Sequence, residues 1–318
     1  MRLARISHGG AVSTAFVGDD GKAYPLPGSA GDVDGLVTWG AEQLTGLERK
    51  TLEQIASGEL AAVTPAKWLP PVARPGKIIG VAMNNSAFAG PSFRYFDKPA
   101  FFMKSPSSLI GHGEAVIMRE DYGLTHPEAE LACVIGRRAS HLDVATARDV
   151  VFGYTIMNDI TSVGLKDKDS LHLEFAKANP GQSPAEWRRA RDEHDWDVYL
   201  TYHFRSKCTD GFGPLGPWIT TADAVPDPDN LSIHAWLGDR QIAEDSTANL
   251  SFSVAEVLAH LTRYATLEPG DIVHFGTAID PRRYTLREAN ILRDPSDMRI
   301  EIEGLGTLIN PVRVVEDL

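Results

Sequence analysis

Residues 126–136 read HPEAELACVIG and residues 151–159 read VFGYTIMND. Each is a short apolar run of strand length, and side chains two apart on a strand share a face. Glu128 and Glu130 therefore point the same way at the start of one predicted strand, and Asp159 closes the other. Like charges that close are costly unless a cation or a proton compensates them. Three carboxylates suit a hard cation such as Mg²⁺ or Mn²⁺, with roughly half of an octahedral shell left for water and substrate. A solvent-facing E-x-E strand followed by a turn aspartate fits the same residues, so the spacing alone leaves both readings open.

Outward from these strands the pattern stays mostly β. KIIGVAM, AFFMKS, WDVYLTYHF, PWITT, LSIHAWLGD, DIVHFGT, MRIEIEGLG and NPVRVVE all carry short apolar or alternating runs. Two helices are predicted in this part: ATARDVV, and SVAEVLAHLTRYATL, where Ser253 caps with Glu256 three residues on. Ahead of them, residues 1–70 read as a small N-terminal domain with strands near Leu3–Ile6 and Thr14–Val17 and a helical stretch from Val37 to Ser57. The segment TPAKWLPPVARPGK holds four prolines and reads as the linker into the main domain, residues 71–318. Residues 166–205 are charge-rich, contain SPAEWRRARDEHDWD, and read as a helical or mobile insertion over a β core. The expected class is mostly β with α.

Composition narrows the partners. The 318 residues carry 31 Lys plus Arg against 43 Asp plus Glu, a net charge of −12. Such a surface repels nucleic acid and anionic membranes, while a few lysines inside a cleft still admit a small anionic substrate. Cys133 and Cys208 match no zinc spacing or disulfide framework. No run of about 18 apolar residues appears, and the expectation is a cytoplasmic protein.

The order of blocks KIIGVAMNN, PAFFMKSPSSLIG, EAELACVIGR, VFGYTIMNDIT, KCTDGFGPLGPWI, LEPGDIVHFGT and IEGLGTLINPV resembles the fumarylacetoacetate hydrolase family across residues 77–314. The resemblance implies a rolled mixed β-sheet enclosing the site, a small N-terminal domain, a homodimer, and divalent-metal chemistry on 2-oxo acids and 1,3-dicarbonyl compounds. It implies Glu128, Glu130 and Asp159 as ligands of Mg²⁺ (or Mn²⁺ or Ca²⁺), and Lys207 as the cation facing the bound substrate. It gives Gly276 and Thr277 to the substrate carboxylate, with Thr277 also counted among the catalytic residues. Lys104 matches as a substrate contact, although a buried pair with an acid fits it equally well.

The departures bear on the reaction. Many hydrolytic members carry a His and a Glu after the first block to activate water, and here NNSAFAGP places Phe88 and Pro91 there. Neither moves a proton. After Asp159, DITSVGLK puts Val163 where an Arg is expected and Lys166, a candidate substrate contact, where a Gln is expected. GTAIDPRRY reshapes the last motif, and Arg282 and Arg283 there read either as a handle for an anionic tail or as surface residues. Hydrolysis of a C–C bond then needs a base from the insertion, with His172, Glu174 and His194 as candidates. Decarboxylation, tautomerisation or isomerisation of a 2-oxo acid needs no water. A non-catalytic binding protein is the third reading, and the retained ligand pattern argues against it.

Overall fold

The computed structural model describes residues 1–28, 32–88, 97–174, 197–279 and 288–316. Its frame is an 11-stranded mixed sheet. The strand order is Ala23–Pro25, Ala11–Val17, Arg2–His8, Gly213–Thr221, Val151–Asn158, Ala129–Ile135, Ile272–Thr277, Ile78–Ala82 and Ala100–Lys104, with two short strands off this path. Most neighbours are antiparallel, and Ile272–Thr277 runs parallel to Ile78–Ala82.

The two central strands are buried along their whole length, which explains why they read as continuous apolar runs. Their side chains alternate between two cores. Leu131, Cys133 and Ile135 face a core closed by Ile233, Ala235, Ile300 and Leu308 of a four-stranded sheet and by Val257, Leu258 and Leu261. Ala132 and Val134 face the opposite core, with Leu3, Phe16, Val33 and Leu36. Each such fully buried aliphatic side chain is worth roughly 1.5–3 kcal/mol.

The first 70 residues do not stop at the proline-rich boundary. Arg2–His8 pairs with Gly213–Thr221, and Lys67–Leu69, inside the predicted linker, pairs back onto Arg2–His8. Helices α1 (Val33–Leu36) and α2 (Ala41–Ala56) pack Val33, Leu36, Leu44 and Leu47 against the main sheet. The N-terminal strands are thus an edge of the central sheet.

Three more α-helices lie among the described residues: α3 (Val163–Lys168), α4 (Phe204–Cys208) and α5 (Val254–Leu261). Helix α5 carries the predicted capping box, Ser253 accepting from the Glu256 amide while Glu256 accepts from Ser253. The predicted helix at ATARDVV is instead a 3₁₀ segment, Val144–Val150. The predicted insertion is described at its two ends. Its flanks form an antiparallel hairpin, Ser170–Glu174 with Asp197–Thr201, framed by α3 and α4. Residues 175–196, including His194, lie outside the described residues.

Candidate metal centre

The three acids meet where the central strands end. Glu130 is the second residue of Ala129–Ile135 and lies opposite Met157 and Thr277. Glu128 and Asp159 fall just outside their strands and are locked together by backbone: the Asp159 amide donates to the Glu128 carbonyl at 2.9 Å, and the Glu128 amide donates to Asn158 Oδ1 at 3.0 Å. All three acids line one cavity of about 260 Å³, together with Phe102, Thr161, Lys166, His203, Lys207 and Thr277. Glu128 and Glu130 thus both reach the cavity, one from the residue before the strand and one from the strand itself.

Charge there is balanced residue by residue. Lys207 Nζ donates to Glu128 Oε2 at 2.8 Å and to Asp159 Oδ2, and stands 4.8 Å from the Phe102 ring centroid. Burial opposes its charge, but Asp159, Glu128 and Glu130 raise its pKa above the ordinary lysine value. Burial alone would push Asp159 up; Lys104 and Lys207 outweigh it and hold this carboxyl well below the usual carboxylate range. Glu130 shifts the other way, because its burial exceeds the help it receives from His274.

Of the two readings of Lys104, the geometry matches the buried pair with an acid. Its side chain is fully buried, and its ammonium donates to Asp159 Oδ1 at 2.7 Å, to the Lys207 carbonyl at 2.5 Å and to the Phe212 carbonyl at 3.1 Å. Three donors meet three acceptors, which leaves none for a ligand. Gly276 likewise turns inward: its amide donates to Glu130 Oε2 at 2.8 Å. Its φ of +100° and the 2.9 Å that would separate an added Cβ from Asn84 Cβ restrict the position to glycine. Thr277 and the exposed Lys166 remain on the cavity wall.

Two histidines escaped the sequence reading. His274, in the quoted HFGT, is fully buried and holds Glu130 Oε2 at 2.6 Å through Nδ1. Its Nε2 has no partner among the described residues, so the ring fits the tautomer whose Nδ1–H donates to the carboxylate. A lone His inside an apolar strand carries no sequence signal that separates this role from core packing. His203 lies at the end of the run WDVYLTYHF, whose alternation signals a strand but not a site. The side chains of Phe88, His172 and Glu174 lie outside the described residues, as do Pro91, Arg282 and Arg283.

The donor set fits a hard divalent cation. Ligand atoms of Glu130, Asp159 and His274 come within 4.8 Å of one another, but His274 does not line the cavity and already binds Glu130. Glu128 does line it, and oxygen is the harder donor. Glu128, Glu130 and Asp159 are therefore the better set, with His274 orienting one of them. Both hydrogen bonds to Glu130 fall on Oε2, which leaves Oε1 for an ion. The five charged groups Glu128, Glu130, Asp159, Lys104 and Lys207 carry one net negative charge, which a divalent ion turns into one positive.

The sequence model of the fumarylacetoacetate (FAA) hydrolase C-terminal family matches residues 78–313. The chain belongs to the fumarylacetoacetate hydrolase family. A Burkholderia multivorans protein named "Putative hydrolase" is 30% identical over 326 residues, spanning 98% of this chain and 99% of that one. The 4-hydroxyphenylacetate degradation bifunctional isomerase/decarboxylase of Salmonella dublin is 27% identical over 259 residues, 81% of this chain and 51% of that protein. The maleylpyruvate hydrolase of Sphingobium sp. SYK-6, in complex with manganese(II) and pyruvate, superposes with a TM-score of 0.70 at 24% identity, covering 99% of each chain, and shares the fold. The names of these relatives and fold neighbours include hydrolases, isomerases and a decarboxylase.

Proposed function

We propose that this chain is a divalent-metal-dependent enzyme that cleaves a C–C bond by hydrolysis in a 2-oxo acid or 1,3-dicarbonyl substrate of the acylpyruvate type. The observation that carries the reading is the convergence of Glu128, Glu130 and Asp159 on one cavity with Lys207 between two of them. Manganese and pyruvate together in the Sphingobium hydrolase support the same pairing of metal and 2-oxo acid. When bound, Mg²⁺ or a similar ion (Mn²⁺, Ca²⁺) supplies a Lewis acid for a 2-oxo group.

The chain's own residues do the rest. Glu128, Glu130 and Asp159 would hold the ion, and His274 and the Gly276 amide fix the Glu130 carboxylate. Lys207 and Lys166 supply positive charge to an anionic substrate, and Thr277, the cross-strand neighbour of Glu130, offers a hydroxyl at the cavity. Phe101, Phe102, Val81 and Met83 supply the apolar side that keeps solvent away from it.

The second reading, decarboxylation or isomerisation of a 2-oxo acid, is favoured by Phe88 and Pro91 in the places of a water-activating pair and by the bifunctional Salmonella relative. The two buried, unpaired cysteines, Cys133 and Cys208, support a reducing cytoplasm; the homodimer rests on the family resemblance.

Proton NMR of an acylpyruvate and of oxaloacetate in D₂O, with Mg²⁺ and with a chelator, separates the readings. Two carboxylic acid fragments establish hydrolysis. Metal-dependent loss of CO₂ or deuterium exchange without fragments establishes the second reading, and no metal-dependent change in either compound overturns both.

A further inference from the structure

Among the described residues lining the cavity, most ionisable groups are already engaged. Glu128 and Asp159 bind Lys207, Glu130 binds His274, and Lys166 extends at the exposed edge. His203 is the exception. Its ring lines the cavity while its Nδ1 is enclosed with no hydrogen-bond partner among the described residues. A buried ring nitrogen left without a partner costs about 1–3 kcal/mol, so a native position that keeps one calls for an explanation.

The backbone points the same way. His203 adopts φ 56° and ψ 13°, a left-handed conformation that non-glycine residues rarely take. The surroundings impose it. Asp169 ends α3, accepts from the Ser206 amide through Oδ2 at 2.9 Å and from the Tyr202 amide through its carbonyl at 3.2 Å, and Arg205 donates to the Lys168 carbonyl at 2.9 Å. These bonds grip the chain on both sides of His203. The turn therefore sets an imidazole on the cavity wall, on the same short element that carries Lys207.

We propose that His203 is the proton-transfer residue of this cavity, moving a proton between water and the substrate carbon. The assignment rests on the reading of the cavity as a metal-dependent 2-oxo acid site. In hydrolysis the neutral imidazole takes one hydrogen of a water as a proton, and the water oxygen forms a bond to the acyl carbon. The C–C bond then breaks, and its electron pair goes to the carbon of the pyruvate fragment. The imidazolium returns the proton to that carbon. The acyl fragment leaves as a carboxylic acid that keeps the second hydrogen of the water.

The charges around the ring favour the neutral form that this step needs. Partial burial comes first, and Lys166 of α3 and Lys207 of α4 add to it; Asp169 and Asp159 oppose them, and the sum lowers the pKa below the ordinary 6.5. The rate should accordingly fall on the acid side, below that ordinary value.

The test compares wild type with His203→Asn, since Asn tolerates the left-handed backbone and cannot serve as a base, and with His203→Gly. Three readouts are taken on each with Mg²⁺ present: acylpyruvate cleavage against pH, deuterium exchange into the methyl group of pyruvate, and Mn²⁺ binding. The proposal expects cleavage and exchange to fall at least about 100-fold, the acid limb to vanish, Mn²⁺ affinity to stay unchanged, and added imidazole to restore part of the His203→Gly rate. Wild-type rates or a retained acid limb in His203→Asn overturn the proposal while leaving the metal site standing. A wild type that neither cleaves nor exchanges any 2-oxo acid overturns the reading of the cavity, and the role of His203 with it.

Discussion

At the scale of single residues, Glu130 sets function against stability. Its pKa is raised, mainly by burial, so its folded-state contribution is favourable below the ordinary 4.5 and is lost as pH rises through the folded value. At neutral pH its charge is a cost that a bound cation relieves. Glu130→Gln should therefore leave the metal-free protein at least as stable in thermal melts near neutral pH. Divalent-ion affinity should fall by more than the ~10–100-fold typical of outer-shell partners. Asp159 runs opposite. Its depressed pKa gives stability that is present above the ordinary 3.8 and is lost as pH falls through the folded value. Metal-free Lys104→Met, which lacks one source of that depression, should thus unfold in acid at a higher pH than metal-free wild type. Lys104→Met also leaves the carbonyls of Lys207 and Phe212 without a donor, and urea unfolding should register a loss of about 3–5 kcal/mol.

At the scale of elements, register decides which side chains meet. Phe102, Gly80, His274 and Ala132 are successive partners across four neighbouring strands. Gly80 offers no side chain, so the Phe102 ring and the His274 ring meet over it at 5.5 Å, nearly edge-on. A Cβ at Gly80 would come within 2.3 Å of Phe102 Cζ and 2.4 Å of His274 Cε1. Gly80→Ala should destabilise by about 1–3 kcal/mol and, by shifting His274 off Glu130, weaken Mn²⁺ binding, as unfolding and metal titration on the same variant would read. None of this row was legible in the sequence. KIIGVAM and DIVHFGT each announce a strand, but which residues face each other is a property of pairing. For Glu128, Glu130 and Asp159 spacing alone left two readings open and the family resemblance singled them out; the structure brings all three to one cavity. The place of His203 at the cavity was not legible, because WDVYLTYHF announces a strand but not where the turn that follows it lands.

At the scale of the whole molecule, the central strands are sealed on both faces, by the four-stranded sheet with α5 on one and by the N-terminal strands with α1 and α2 on the other. Only the strand ends remain for chemistry, and the cavity opens there. The net charge of −12 sets a repulsive background for the proposed anionic substrate, which Lys166, Lys207 and the proposed cation would offset locally. The pairing of Arg2–His8 with Gly213–Thr221 joins residues more than two hundred positions apart. Proline-rich punctuation after residue 64 suggested a boundary; burial of Leu3 and Phe16 beside Ala132 and Val134 ties the two parts into one core.

The central claim is that Glu128, Glu130 and Asp159 hold one divalent ion on which the chemistry depends. Its most direct test is a Mn²⁺ titration of chelator-stripped protein, followed by the EPR signal of free Mn²⁺, for wild type and for Glu128→Gln, Glu130→Gln and Asp159→Asn. The account predicts one tight site per chain in wild type, lost or severely weakened in all three variants while each keeps a cooperative melt. Equal Mn²⁺ binding in wild type and in the folded variants would contradict it.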